Sequence, residues 1–196
     1  MSPWFFGKKC KILNHRNSFS RPDPHTGVSF SEEEHIYAWE KALGTYSDQP
    51  RICILDMPPN RIIGIASYAL AAKNYDFCDR LLTLAEDRIV DPIDLHYCYL
   101  WWIKSLYPRR TDTVLLARCE DYCHKDIALW QTIRSNSFFA GKKTLVPSFQ
   151  KLEAIYEADG RYAEALALCK TAEKDMYLSD HDLWVKRKHR IQEKMR

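Results

Sequence analysis

The sequence predicts an all-α protein built of antiparallel helical hairpins stacked on one another. Three observations carry this. Apolar residues recur at spacings of three and four through most of the chain, which places them on one face of a helix. Only 6 glycines occur in 196 residues, too few for a turn-rich β fold. One hairpin pattern also repeats: at a constant shift, Ile62 falls on Phe149, Ile65 on Leu152, Tyr68 on Ile155, Tyr75 on Tyr162, Leu81 on Leu168 and Ala85 on Ala172. Helices this short cannot bury an apolar face alone, so repeated hairpins must stack. A hydrophobic content of 46%, with 13% aromatic, supplies the core and excludes disorder of the whole.

Residues 1–57 read as an N-terminal extension with one helix. The stretch 18–27 holds two prolines and a glycine and reads as an irregular loop. Ser31, followed by three glutamates, forms a capping box with Glu34 and starts a helix over about 31–43. Its apolar stripe is Ile36, Trp39, Ala42 and Leu43. Ile52, Cys53, Ile54 and Leu55 suit a strand or a buried turn, and Pro58 and Pro59 end whatever precedes them.

Residues 58–178 hold three hairpins, over about 58–90, 94–130 and 147–177. In the first, 61–72 pairs with 75–89, and Lys73-Asn74 makes the turn, with Asn tolerating a left-handed backbone. Pro92 stands past it as a breaker. In the second, 94–107 is apolar at Tyr97, Leu100, Trp101 and Ile103, and its partner runs from about 112 to 130. Residues 131–147 show no helical period, and Phe138-Phe139 reads as exposed; insertions into repeat proteins often lie on the binding face. The third hairpin starts near Pro147, with Ser148 able to accept an orphan N–H, and turns at Gly160, which can take a positive φ. Residues 179–196 form a basic capping helix, started by Ser179 or Asp180.

Tyr156, Gly160, Tyr162, Ala165 and Ala172 resemble a tetratricopeptide repeat: a late Tyr in the first helix, Gly-x-Tyr-x-x-Ala, and a second Ala one heptad on. The proline expected near the end of the repeat is replaced by Tyr177. From about Asp94 onward the chain also resembles uncharacterised bacterial proteins with a degenerate repeat module, which share a Pro-Ser-Phe opening, a Gly-Arg-Tyr turn and a final Arg-rich helix. The resemblance implies a stack whose first helices line a concave groove for a peptide or helix. Carried over by alignment, the groove takes Asn60, Ile63 and Ser67, then Trp101, Ser105 and Arg109, then Gln150 and Glu157. Phe138 and Phe139 join them through the insertion. Trp101 has an equal alternative, packing beneath the N-terminal extension. The Lys/Asn set that grips a terminal carboxylate in chaperone-binding relatives is absent.

The expected function is therefore non-enzymatic: an interaction module that binds another protein or peptide and carries no cofactor. No nucleophile motif or phosphate loop occurs. The pair Cys119 and Cys123 with His124 is the one metal-like cluster, but it lacks a second ligand pair and both thiols fall at core positions. His96, His124, His181 and His189 have acidic neighbours in sequence, the usual state of a solvated surface histidine. A metal-binding or hydrolytic protein using these Cys and His residues stands as one alternative. Net charge is +3, but 186–196 carry about +5, leaving the rest slightly acidic. The alternative that ranks ahead of the metal-binding or hydrolytic one is a nucleic-acid or acidic-surface adaptor acting through Lys186, Arg187, Lys188, His189 and Arg190, although the near-neutral body offers no large phosphate footprint. Seven scattered cysteines, an odd number, suit a reducing cytoplasm. Trp4, Phe5 and Phe6 are too short a run for a secretion signal, and no apolar stretch suffices for a membrane span.

Overall fold

A computed structural model describes residues 22–43, 53–141, 143–175, 177–178 and 181–196. The expectations for residues 1–21, the Ser179/Asp180 cap and the side chains of Trp39, Ala42 and Leu43 lie outside it. Among the described residues there are eight α-helices and no strand. They are α1 (Glu32–Leu43), α2 (Pro59–Ala71), α3 (Tyr75–Arg88), α4 (Pro92–Leu106), α5 (Thr113–Ile133), α6 (Pro147–Ala158), α7 (Tyr162–Lys174) and α8 (His181–Lys194). From α2 to α8 each helix packs on the next, α1 packs on α2, and α2, α4 and α6 also touch in series.

The helix starts follow local chemistry. Glu34 N–H donates to Ser31 Oγ at 3.2 Å and Ser31 N–H to Glu34 Oε2 at 2.8 Å, the expected capping box. Asn74, Asp91 and Asp112 each accept a first-turn N–H of α3, α4 and α5. Pro92 is the first residue of α4, so it opens a helix where the sequence suggested only a break. Where the sequence offered a strand or a buried turn, Ile54–Asp56 form a 3-10 turn with Ile54 fully buried, and Ile52 lies outside the described residues. Ser148 does not cap α6: its buried hydroxyl points into the core, and Val146 occupies the cap position without a side-chain bond.

The turns inside the first and third hairpins are the same device. Asn74 N–H reaches back to Ala69 O at 2.9 Å and Arg161 N–H to Tyr156 O at 2.8 Å, the long closing bond of a Schellman turn. The left-handed residue is Gly160 at φ 73 in one and Lys73 at φ 58 in the other. The sequence placed that burden on Asn74, which instead sits at φ −84 as the next cap. A side chain in this region costs about 1 kcal/mol. Lys73→Gly is expected to stabilise the protein by about 0.5–1 kcal/mol and Gly160→Ala to destabilise it by about 1 kcal/mol in urea unfolding. Equal, same-sign shifts would mean the turns are not equivalent.

The core runs as one cluster through the stack, with Ile62, Leu81, Trp102, Trp130, Phe149 and Ile191 buried. The insertion is partly absorbed into it. Helix α5 continues to Ile133, which is buried, and Phe139 ends the 3-10 turn Ser137–Phe139 with its ring 5.2 Å from Trp130. Phe139 is therefore core, contrary to the sequence reading; Phe138 remains half exposed. Thr144 N–H donates to Tyr177 O at 2.9 Å, tying the insertion to the chain before α8.

Cys78, Cys98, Cys119, Cys123 and Cys169 are free thiols at 0% exposure. Burial pushes Cys78 and Cys169 up to about 12 and raises Cys98 as well. The thiolate is the nucleophile. At about pH 8, iodoacetamide should thus leave these three unlabelled in the native protein and label them in about 6 M guanidinium, as read by peptide mass mapping. Native labelling of Cys98 would contradict the packing.

Candidate functional site

Among the described residues, the side chains of α4 show where the stack is open. Cys98, Trp102 and Ser105 face α3: Trp102 Nε1 donates to Glu86 at 2.9 Å and Ser105 Oγ to Asp79 at 2.6 Å. His96 and Tyr99 face α5. At 100° per residue, the remaining side carries Tyr97, Trp101 and Lys104. Tyr97 is 39% exposed and lies 6.5 Å from the half-exposed Phe138 ring. Trp101 is half-buried, with Lys104 Nζ 4.0 Å from its ring centroid.

The neighbouring helices present small groups on the same side. On α2 these are Asn60, Gly64, Ser67 and Ala71, and a Cβ at Gly64 would meet nothing within 4 Å. On α6, the sides facing α5 and α8 are taken by Ser148, Tyr156, Phe149, Glu153 and Glu157. What is left is Gln150, Lys151, Ala154 and Ala158. An aromatic and cationic ridge on α4 is thus flanked by two low helices.

Of the residues named from sequence, Asn60, Ser67, Trp101 and Gln150 belong to this face, and Phe138 borders it. Ile63 and Ser105 are buried and do not. Arg109 is committed elsewhere: it holds both oxygens of Asp79 at 2.8 and 3.0 Å and lies over the Tyr75 ring. Glu157 turns to α8, where Arg190 and Lys194 hold its carboxylate. Tyr97, Lys104, Lys151, Ala154 and Ala158 were missed. The spacing of Tyr97, Trp101 and Lys104, four and three apart, was the available signal; the partners of the other α4 positions were not.

The basic helix spends its charge inward. Arg187 and Arg190 converge on Glu153, and Lys188 binds Glu173 at 2.6 Å. Glu153 is fully buried, so α8 is anchored by a buried carboxylate as well as by Trp184 against Phe149, 6.2 Å between rings. Lys186, His189 and Arg196 stay exposed, a smaller cationic surface than the sequence alone suggests.

A serine, a histidine and an aspartate do meet. His96 Nδ1 lies 2.6 Å from Asp126 Oδ1, and Ser148 Oγ donates to Asp126 Oδ2 at 2.5 Å. All three are at most 1% exposed. The hydroxyl is bonded to the carboxylate and not to the imidazole, so the serine–histidine contact that a nucleophilic triad needs is missing. The trio pins α4, α5 and α6 together.

Among the described residues, no group of three or more His, Cys, Asp or Glu could hold a metal ion. A surface concavity of about 670 Å³ lies between the 22–27 turn and α3. Its charged walls, Asp23 and Arg88, are bonded to each other. Burial would raise the Asp23 carboxyl, but bonds from Thr26, Arg88 and the His25 N–H outweigh it and hold the group at about 2. Among the described residues, no helix is long and apolar enough to cross a membrane. Comparison with protein-family models, curated proteins and solved structures found no significant match.

Proposed function

We propose that this protein is a non-enzymatic interaction module, a tetratricopeptide-like stack that holds another protein through the face made by α2, α4 and α6. One observation carries the reading: Tyr97 and Phe138 lie exposed and Trp101 half-buried along this face, between helices that present Gly64, Ala71, Ala154 and Ala158. Aromatic anchors beside small neighbours are what protein interfaces use, because a large rigid ring desolvates well and the low flanks admit the partner's backbone. The five buried free thiols suit a reducing cytoplasm.

The test is affinity purification of the full chain. A stoichiometric partner should be retained by the wild type and weakened about tenfold or more by Trp101→Ala, roughly 1.4 kcal/mol of binding. Tyr97→Ala should act in the same direction. Both variants should keep a cooperative thermal transition. Retention undiminished in both, or no partner in the wild type, would overturn the proposal.

A further inference from the structure

We infer that the partner segment is acidic and carries an apolar side chain beside its carboxylates, and that it seats where the end of α4 meets α6. This rests on the interaction reading above. A cleft of about 390 Å³ opens there, floored by Leu116, Ala154, Ile155 and Ala158 and walled by Tyr107. Arg110 lines it, Lys151 shares the Tyr107 ring with Arg110, and Lys104 stands over Trp101 on the adjoining ridge. Lys151 Nζ is 4.2 Å and Arg110 Cζ 4.6 Å from the Tyr107 centroid, and Lys104 Nζ is 4.0 Å from that of Trp101.

Several other ring-seated cations are already committed to an acid. Arg161 over Tyr156 binds Glu120 and Glu164, Arg109 over Tyr75 binds Asp79, and Arg80 over Phe30 binds Glu34. Lys104, Arg110 and Lys151 have a ring and, among the described residues, no carboxylate; Lys41 and Arg118 share that state but do not line the cleft. A ring beneath a cation restrains it and leaves its outer side for an anion, so little freedom is lost on binding. Asp159 is the one carboxylate lining the cleft, and it lies at the C-terminal end of α6, where the helix dipole is also negative. The cleft is therefore polarised. A partner's carboxylates belong at the Arg110 and Lys151 rim and its apolar side chain over Ala154 and Ala158.

Fluorescence anisotropy with a labelled peptide of alternating Leu and Glu tests this. The peptide should bind at about 50 mM salt and weaken steeply by about 300 mM. Its Leu–Gln counterpart should bind roughly tenfold more weakly or worse. Arg110→Glu with Lys151→Glu should abolish binding, whereas Lys170→Glu on the exposed side of α7 should not; unfolding curves check that both variants fold. Equal binding of the Leu–Gln peptide, survival in the double variant, or tighter binding of an oligothymidylate would overturn the inference. If neither peptide binds while Trp101→Ala still releases the native partner, the acidic chemistry fails and the interaction reading stands. If the wild type retains no partner, the interaction reading itself fails.

Discussion

Asp126→Ala is expected to lower the unfolding free energy by about 3–5 kcal/mol, a large part of what a domain of this size possesses. Asp126 is fully buried, and each carboxylate oxygen has its own partner: His96 from α4 on one, Ser148 from α6 on the other. Removing it strands a buried imidazole and a buried hydroxyl together. The protein interior offers neither of them water, so each keeps its desolvation penalty without a bond to offset it. Ser148→Ala removes one donor and leaves the His96 pair intact, so about 1 kcal/mol is expected. The same trio viewed as a hydrolytic site would predict loss of activity without loss of stability; viewed as a pin, it predicts the reverse. Urea unfolding of the two variants decides, and a loss near 1 kcal/mol or less for Asp126→Ala would sink the pin.

Glu153→Ala should cost about 2–4 kcal/mol, with the loss concentrated in α8. Its position corresponds to Ala66 in the first hairpin, which is also fully buried, so an alanine fits by shape and the effect isolates the charge. Without Glu153, the mostly buried Arg187 guanidinium loses its carboxylate, whereas Arg190, half exposed, keeps Glu157, which Lys194 shares. Amide exchange should then quicken across α8 while α2 to α5 keep their protection. Adding Arg187→Met to Glu153→Ala should recover part of the loss, because replacing both members of a buried pair removes the uncompensated charge. A small loss spread evenly over the stack would mean that Trp184 against Phe149 holds α8 and the ion pairs do not.

Helix identity was legible because it depends on near neighbours. Ser31 with Glu34, Asp112, Pro147 and Gly160 act within one turn of themselves, and the apolar period reports a face whatever lies against it. The equivalence of Lys73 with Gly160 was also legible as a register, although the residue bearing the left-handed strain was misplaced by one. Ser148 shows the limit of the local rule. It has the residue type and the position of a capping serine, yet its hydroxyl goes to an aspartate two helices' worth of chain away. Similarly, the spacing within α4 groups Trp101 with Tyr97 and Lys104, but only the neighbouring helix shows that Ser105 is sealed against Asp79 while Trp101 stays half-buried.

What the sequence determined by itself was the kind of object: helices, their order, and the pairing of neighbours into hairpins. These rest on spacing and on short-range hydrogen bonds. Only the tertiary structure decided which polar groups are available. It turned Arg187, Arg190, Arg109 and Glu157 inward and buried His96 with Asp126. It left Lys104, Arg110 and Lys151 on rings without an acid. A charge is free or committed according to what stands within a few ångströms of it, and in a stack of helices that neighbour comes from another helix, at a distance along the chain that no local period records.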